Sequence, residues 1–205
     1  MNTLDINTLE NIIEDSLKDS ISYEEYRALV SKLVEENSTT GNEKTEALVN
    51  YTVLNDRRMK RWDKTVKVSD EAKTAIENYE GNATFLVLTE SWCGDAAHIM
   101  PVIQKVADLN DNIQHKVVLR DEHEALMNEF LTNGGKSIPK LIMIDNDTKE
   151  VLHTFGPRPS VATEMVNDYK AEHGQLTPEF KEDLQRWYNK DKGQSTLDDL
   201  VGMLR

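Results

Sequence analysis

One cysteine, Cys93, is all that the chain of 205 residues holds. No disulfide can form within a single copy, so the fold relies on its core, and a lone thiol suits a reducing compartment. Basic residues are also scarce: 24 Lys and Arg stand against 37 Asp and Glu, a formal charge of −13. That balance argues against partners such as nucleic acid or anionic membrane, which are themselves polyanions. Long apolar runs are missing, and none approaches the roughly 20 residues that cross a bilayer. The opening Met1-Asn2-Thr3-Leu4-Asp5 has neither the basic start nor the apolar stretch of a secretory signal, so a cytoplasmic location is expected. His98, His115, His123, His153 and His173 show no ligand spacing and have no second cysteine to join, so no metal is expected. There is no Gly-rich phosphate loop, nucleophile elbow or dinucleotide fingerprint, and no cofactor is expected.

What is present centres on residues 84–101. An apolar, β-prone run from Thr84 to Thr89 passes through a tight turn bearing Trp92, Cys93 and Gly94 and enters a helix directly. A thiol at a helix N-terminus meets free N–H groups and the positive end of the dipole, both of which favour a thiolate. Asp95, two residues on, pulls the other way through its charge, or by capping the helix in competition with the thiolate for the same N–H groups. The turn is expected to leave the sulfur exposed and reactive, though less so than with a neutral residue at 95. A buried, inert cysteine is the competing reading.

Before this stretch the chain reads as helices. Leu9, Ile12, Ile13 and Leu17 share a face, Ser22 and Glu25 have capping-box spacing, and Tyr26, Leu29, Val30, Leu33 and Val34 form the next stripe. After the polar loop 37–42, a third helix is expected from Glu43 to about Trp62. From residue 65 the pattern becomes strand (65–68), helix, strand (85–88), helix, strand (115–119), helix (122–131), strand (140–145), strand (151–155), helix (160–172). Asp121 and Glu124 stand at cap spacing, and Pro101 inside its helix predicts a kink. Pro178 suits the first turn of a following helix, and a short one closes the chain. Parallel crossovers followed by a hairpin predict a mixed sheet with helices on both faces. The division expected is a helical extension over 1–63, an α/β domain over 64–174 and a second helical extension over 175–205.

With Trp92-Cys93-Gly94 closing the second strand, Pro101 eight residues after the cysteine and Ile138-Pro139 before the fourth strand, this order resembles the thioredoxin family. Over a longer span, Asn55-Asp56-Arg57-Arg58-Met59-Lys60-Arg61, Glu90 to Ala97, Arg120-Asp121-Glu122 and Gly156-Pro157-Arg158-Pro159 are similar to a bacterial thioredoxin-like branch with alanine after Trp-Cys-Gly-Asp. The resemblance implies a thioredoxin fold, a cis Pro139 facing the thiol, and a substrate groove bordered by Trp92, Gly94, Asp95, Ile138, Pro139, Gly156, Pro157 and Arg158. It also marks two losses. The family's second cysteine is Ala96 here, and its buried acid in the central strand is Val87, so the resolving half of dithiol chemistry is missing as a unit.

Two functions follow. Cys93 could carry single-thiol exchange with a protein, peptide or low-molecular-weight disulfide, an external thiol completing the cycle. Alternatively, the groove beside Pro139 docks an extended peptide or protein partner and the redox cycle is gone. Arg158 is a candidate for binding a carboxylate or an ordinary ion-paired residue. Arg57, Arg58, Lys60 and Arg61 are read as a solvated face paired with local acids, with an anion-binding edge near the thiol as the sharper option, and Arg120 shares that choice. His98 is expected to be an exposed helix residue rather than a partner of Cys93.

Overall fold

The computed structural model describes residues 3–205, with side chains from Leu9 onward. Two helices, α1 (Thr3–Asp19) and α2 (Tyr23–Glu35), flank a two-residue strand, β1 (Ile21–Ser22). Ser22 ends β1 because it caps α2: its side chain accepts from Glu25 N–H while the Glu25 carboxylate accepts from Ser22 N–H, the reciprocal capping box. The third helix, α3 (Glu46–Thr65), begins three residues later than expected, at the Thr45 N-cap.

Residues 65–68 form no strand. Thr65 continues α3, with its hydroxyl donating back to the Arg61 carbonyl at 2.9 Å, and Val66 N–H bonds Trp62 O. The buried Val66 side chain thus plugs a helix end, a role that alternating Val66 and Val68 cannot be told apart from a strand face. The sheet edge intended for it is taken by β1, paired antiparallel with β3 in the register Ile21↔Val117.

The rest follows the expected order: α4 (Asp70–Glu77), β2 (Ala83–Thr89), α5 (Ala96–Ala107), β3 (Ile113–Leu119), α6 (Glu124–Glu129), β4 (Lys140–Asp145), β5 (Val151–Phe155), α7 (Ser160–His173), α8 (Pro178–Asp191) and α9 (Gln194–Gly202). The sheet order is β1-β3-β2-β4-β5. Only β2 and β3 are parallel, joined through α5; β2 pairs antiparallel with β4, and β4 with β5. Every residue of β2 is buried, as an unbroken apolar run covered on both faces requires. α6 is shorter than the 122–131 expected and Asp121 does not cap it; that carboxylate instead accepts from Asn42 N–H and pairs with Arg120. Thr177 caps α8 with Pro178 in its first turn, where a missing N–H costs nothing.

Helices from both ends of the chain share the core of the sheet domain. Tyr26, Met59 and Trp62 from the first part, and Leu184, Tyr188, Leu197 and Leu200 from the last, are buried in one cluster with β2 and α5. α5 lies between these flanks and is buried on every side from Ala96 to Ile103.

Candidate functional site

The turn after β2 delivers Cys93 to the start of α5, but the sulfur is not exposed. The residue is 7% accessible, and its thiol donates to the Ile138 carbonyl at 3.2 Å. The Ile138–Pro139 peptide is cis, and so is Gly156–Pro157, for which the sequence carried no signal. The two segments touch because residue 156 is glycine: with φ +106, a Cβ there would collide with the Pro139 carbonyl oxygen. The end of β5 is thereby laid against the start of β4, and Trp92, Gly94, Pro157 and Arg158 form a partly exposed rim around a closed thiol.

Asp95 does not cap α5. One carboxylate oxygen pairs with the Arg158 guanidinium at 2.7 Å and the other accepts from the Tyr188 hydroxyl at 2.9 Å. The pair is largely enclosed, with side-chain exposure of 12% at Asp95 and 22% at Arg158. Burial raises the Asp95 pKa, while Arg158 and Tyr188 hold it down. The Arg158 Nε–H is itself buried without a partner among the described residues.

These surroundings set the thiol. Burial pushes Cys93 up to about 12, and the Asp95 charge adds to the rise. The backbone N–H groups of Ala96 and Asp95 and the charge of Arg158 act in the opposite direction and do not win. A thiol raised so far is almost wholly protonated at pH 7. The expectation of an exposed sulfur is corrected: the turn places it beside Ile138, and the thiol is buried there against that residue's carbonyl.

Ahead of the cysteine, Ser91 is a hub. Its N–H donates to Thr40 Oγ1 at 2.8 Å, its hydroxyl accepts from Thr40 N–H at 3.1 Å, and it stands 2.9 Å from the Thr52 hydroxyl and 3.1 Å from that of Thr39. Asn55 Nδ2 donates to the Ser91 carbonyl at 3.0 Å. The N-terminal segment is thus bolted to the turn, and it carries Arg58 with it: this guanidinium donates to Asn55 Oδ1 and approaches Gly94, where an added Cβ would lie 3.6 Å away. The rest of the basic cluster faces elsewhere. Arg57 is exposed, Lys60 pairs with Asp56 at 2.7 Å, and Arg61 lies over the Trp62 ring and donates to Asn189 Oδ1. Arg120 packs against the Trp92 ring, 4.9 Å from its centroid, while paired with Asp121.

His98 is buried, not exposed. Its Nδ1 accepts from Trp62 Nε1–H at 2.9 Å, so the ring proton sits on Nε2 and donates to Gln185 Oε1 at 2.8 Å. The ring stacks on Tyr188 at 4.4 Å, and burial pushes its pKa down to about 4. Both nitrogens are committed to this bridge between α3 and α8. Sequence reasoning missed Ser91, Asn55 and Tyr188 at the site. The first two lie in stretches that carry the family resemblance but have no chemistry that announces a hydrogen-bond role, and Tyr188 stands 93 positions from Asp95.

Val87 pairs with Val117 and Leu141 inside the sheet, and Ala96 is buried, so neither position offers proton transfer or a second sulfur. Among the described residues no group of three or more His, Cys, Asp and Glu is placed to hold a metal ion. Among the described residues no helix is long and apolar enough to cross a membrane.

A mixed sheet with a thiol at the start of the helix that follows its central strand, facing a cis proline ahead of the next, defines a thioredoxin-fold protein. Residues 41–170 match the family model described as thioredoxin, and the chain belongs to the thioredoxin family. Among solved structures, it is similar to a protein of unknown function from Pseudomonas aeruginosa, with 14% identity over 74% of this chain and 84% of that one at a TM-score of 0.58. It is likewise similar to an HIV epitope-scaffold protein, with 14% identity over 90% of this chain and 98% of that one at a TM-score of 0.57. At such identity these likenesses speak for the fold alone. No curated protein matches.

Proposed function

We propose that the protein is a redox-quiet thioredoxin-fold module that docks an extended peptide or protein partner at the rim formed by Trp92, Gly94, Pro157 and Arg158 beside Pro139. One observation carries this reading: the Cys93 thiol is enclosed, donates to Ile138 O and is pushed up to about 12, while the rim around it remains partly exposed. Thiol exchange needs the thiolate, and the missing resolving apparatus at Val87 and Ala96 points the same way. A lone unpaired cysteine fits action in the cytoplasm.

Single-thiol exchange is the second reading, favoured by the Asp95 and Ala96 N–H groups that point at the sulfur. In it Cys93 loses its proton and attacks a disulfide, forming a mixed disulfide and releasing one thiolate, which takes up a proton. An external low-molecular-weight thiol then attacks the mixed disulfide and restores Cys93, so electrons and protons balance without a second cysteine. Docking would have to uncover the buried sulfur first.

Alkylation of Cys93 by iodoacetamide between pH 6 and 10, with mass spectrometry after incubation in oxidised glutathione, separates the two. The redox-quiet reading expects a rate still climbing at pH 10 and no adduct at pH 7. A stoichiometric mixed disulfide at pH 7 would overturn it in favour of exchange.

A further inference from the structure

Away from the thiol, where the end of α3 meets the α8–α9 junction, lies a cavity of about 680 Å³. That volume is in the range of sites that enclose small organic molecules. Its wall combines the apolar Trp62 and Val68 with three cations, Arg61, Lys67 and Lys192, and includes no acidic side chain. In a chain where 37 Asp and Glu outnumber 24 Lys and Arg, a wall with three cations and no carboxylate runs against the overall charge. None of the three forms an ion pair among the described residues.

The cavity is also built. Arg61 is fixed by its bond to Asn189 Oδ1 at 2.6 Å and by packing 4.7 Å above the Trp62 ring. Gln194 Nε2 donates to the Lys67 carbonyl at 3.0 Å and so ties the loop after α3 to the start of α9. Lys192 projects from a left-handed residue, φ 57, at the end of α8. Segments far apart in sequence therefore hold three positive groups around an apolar floor.

We propose that this cavity binds an organic anion: a small molecule with an apolar body and a carboxylate, sulfonate or phosphate group. The body lies against Trp62 and Val68 and the anion is held by Arg61, Lys67 and Lys192. Charge complementarity selects the ligand class, since a cationic molecule would be repelled and a neutral one would gain nothing from the three positive groups.

The test uses the full chain and the fluorescent probe 1-anilinonaphthalene-8-sulfonate, with uncharged N-phenyl-1-naphthylamine as its control. Saturable one-to-one binding of the sulfonate is expected, at least tenfold tighter than that of the neutral compound. The double variant Lys67→Glu/Lys192→Glu, at two exposed positions, should weaken the sulfonate at least tenfold with an unchanged melting temperature. Arg61→Gln provides a second reading should the double variant be destabilised, with the same direction of effect. Equal binding of the two compounds, absence of saturable binding, or sulfonate affinity unchanged in a folded variant would each overturn the proposal.

Discussion

The two flanks of Cys93 are held by opposite ends of the chain and by different chemistry. On the N-terminal side, Ser91 is fixed by neutral hydroxyls and an amide: Thr39, Thr40, Thr52 and Asn55. On the C-terminal side, Asp95 is fixed by a charge and a phenol, Arg158 and Tyr188, with His98 stacked behind. The hydroxyls and amide of the neutral flank do not themselves titrate, and they supply rigidity. The charged flank couples the position of α8 to the electrostatics of the thiol, because Asp95 is both the partner of Tyr188 and a cause of the raised Cys93 pKa. The helical segments outside the sheet domain are therefore parts of the site rather than appendages to it.

Breaking the neutral flank should have the largest effect. Ser91→Ala removes little more than the hydroxyl but strips Thr39, Thr40 and Thr52 of a shared partner in a buried setting, and stranded polar groups cost about 3 kcal/mol together. Calorimetry should show the melting temperature lowered by about 10 °C at every pH; a fall of under 2 °C would mean the hydroxyls re-pair without Ser91. On the other flank, the effect of His98 is confined to acid. Its folded pKa of about 4 lies below the ordinary 6.5, so between those values the unfolded chain binds a proton that the folded chain refuses. Its contribution is complete above pH 6.5 and is lost as the pH falls towards 4, by about 3 kcal/mol at most. His98→Gln should remove that component from the difference between denaturation curves at pH 7 and pH 4.5. An unchanged difference would place the acid sensitivity in His115, whose buried ring is pushed down to about 3; Glu90 and Asp95, whose pKa values are raised, contribute with the opposite sign. Asp95→Asn comes next: loss of Arg158's partner costs about 2 kcal/mol, and removing the negative charge should lower the Cys93 pKa by about one unit. Iodoacetamide should then react about tenfold faster at pH 8, and an unchanged rate would show that burial alone silences the thiol.

Much of the frame could be read from residues. The strand–turn–helix around Cys93, the hairpin of β4 and β5 and the Ser22–Glu25 capping box rest on local patterns, with partners close by in sequence; the placing of Pro139 opposite the thiol rested on the family resemblance. The failures share a cause as well. Val66 and Val68 fit a strand face and a helix-end plug equally, and only the tertiary position of α3 decides. β1 has two residues, too few for any periodicity to register. His98 looked exposed because a polar residue near a helix start usually is; α5 is instead buried all round, which becomes visible only once α3 and α8 are known to cover it. The Tyr188–Asp95 bond spans 93 positions, and nothing local to either residue announces the other.

That bond sharpens the comparison most finely. Tyr188→Phe leaves the ring to stack on His98 and removes only the hydroxyl that donates to Asp95 Oδ1. If the C-terminal flank acts through charge, Asp95 becomes harder to ionise, stability falls by about 1 kcal/mol, and the Cys93 alkylation rate shifts modestly upward as the neighbouring negative charge weakens. If instead α8 contributes only packing, Phe should match Tyr in both melting temperature and rate, while Tyr188→Ala would still be strongly destabilising through the lost ring. Measuring the two variants side by side assigns the hydroxyl and the ring their separate effects, and a phenylalanine variant identical to the parent in both readouts would reduce the charged flank to the Asp95–Arg158 pair alone.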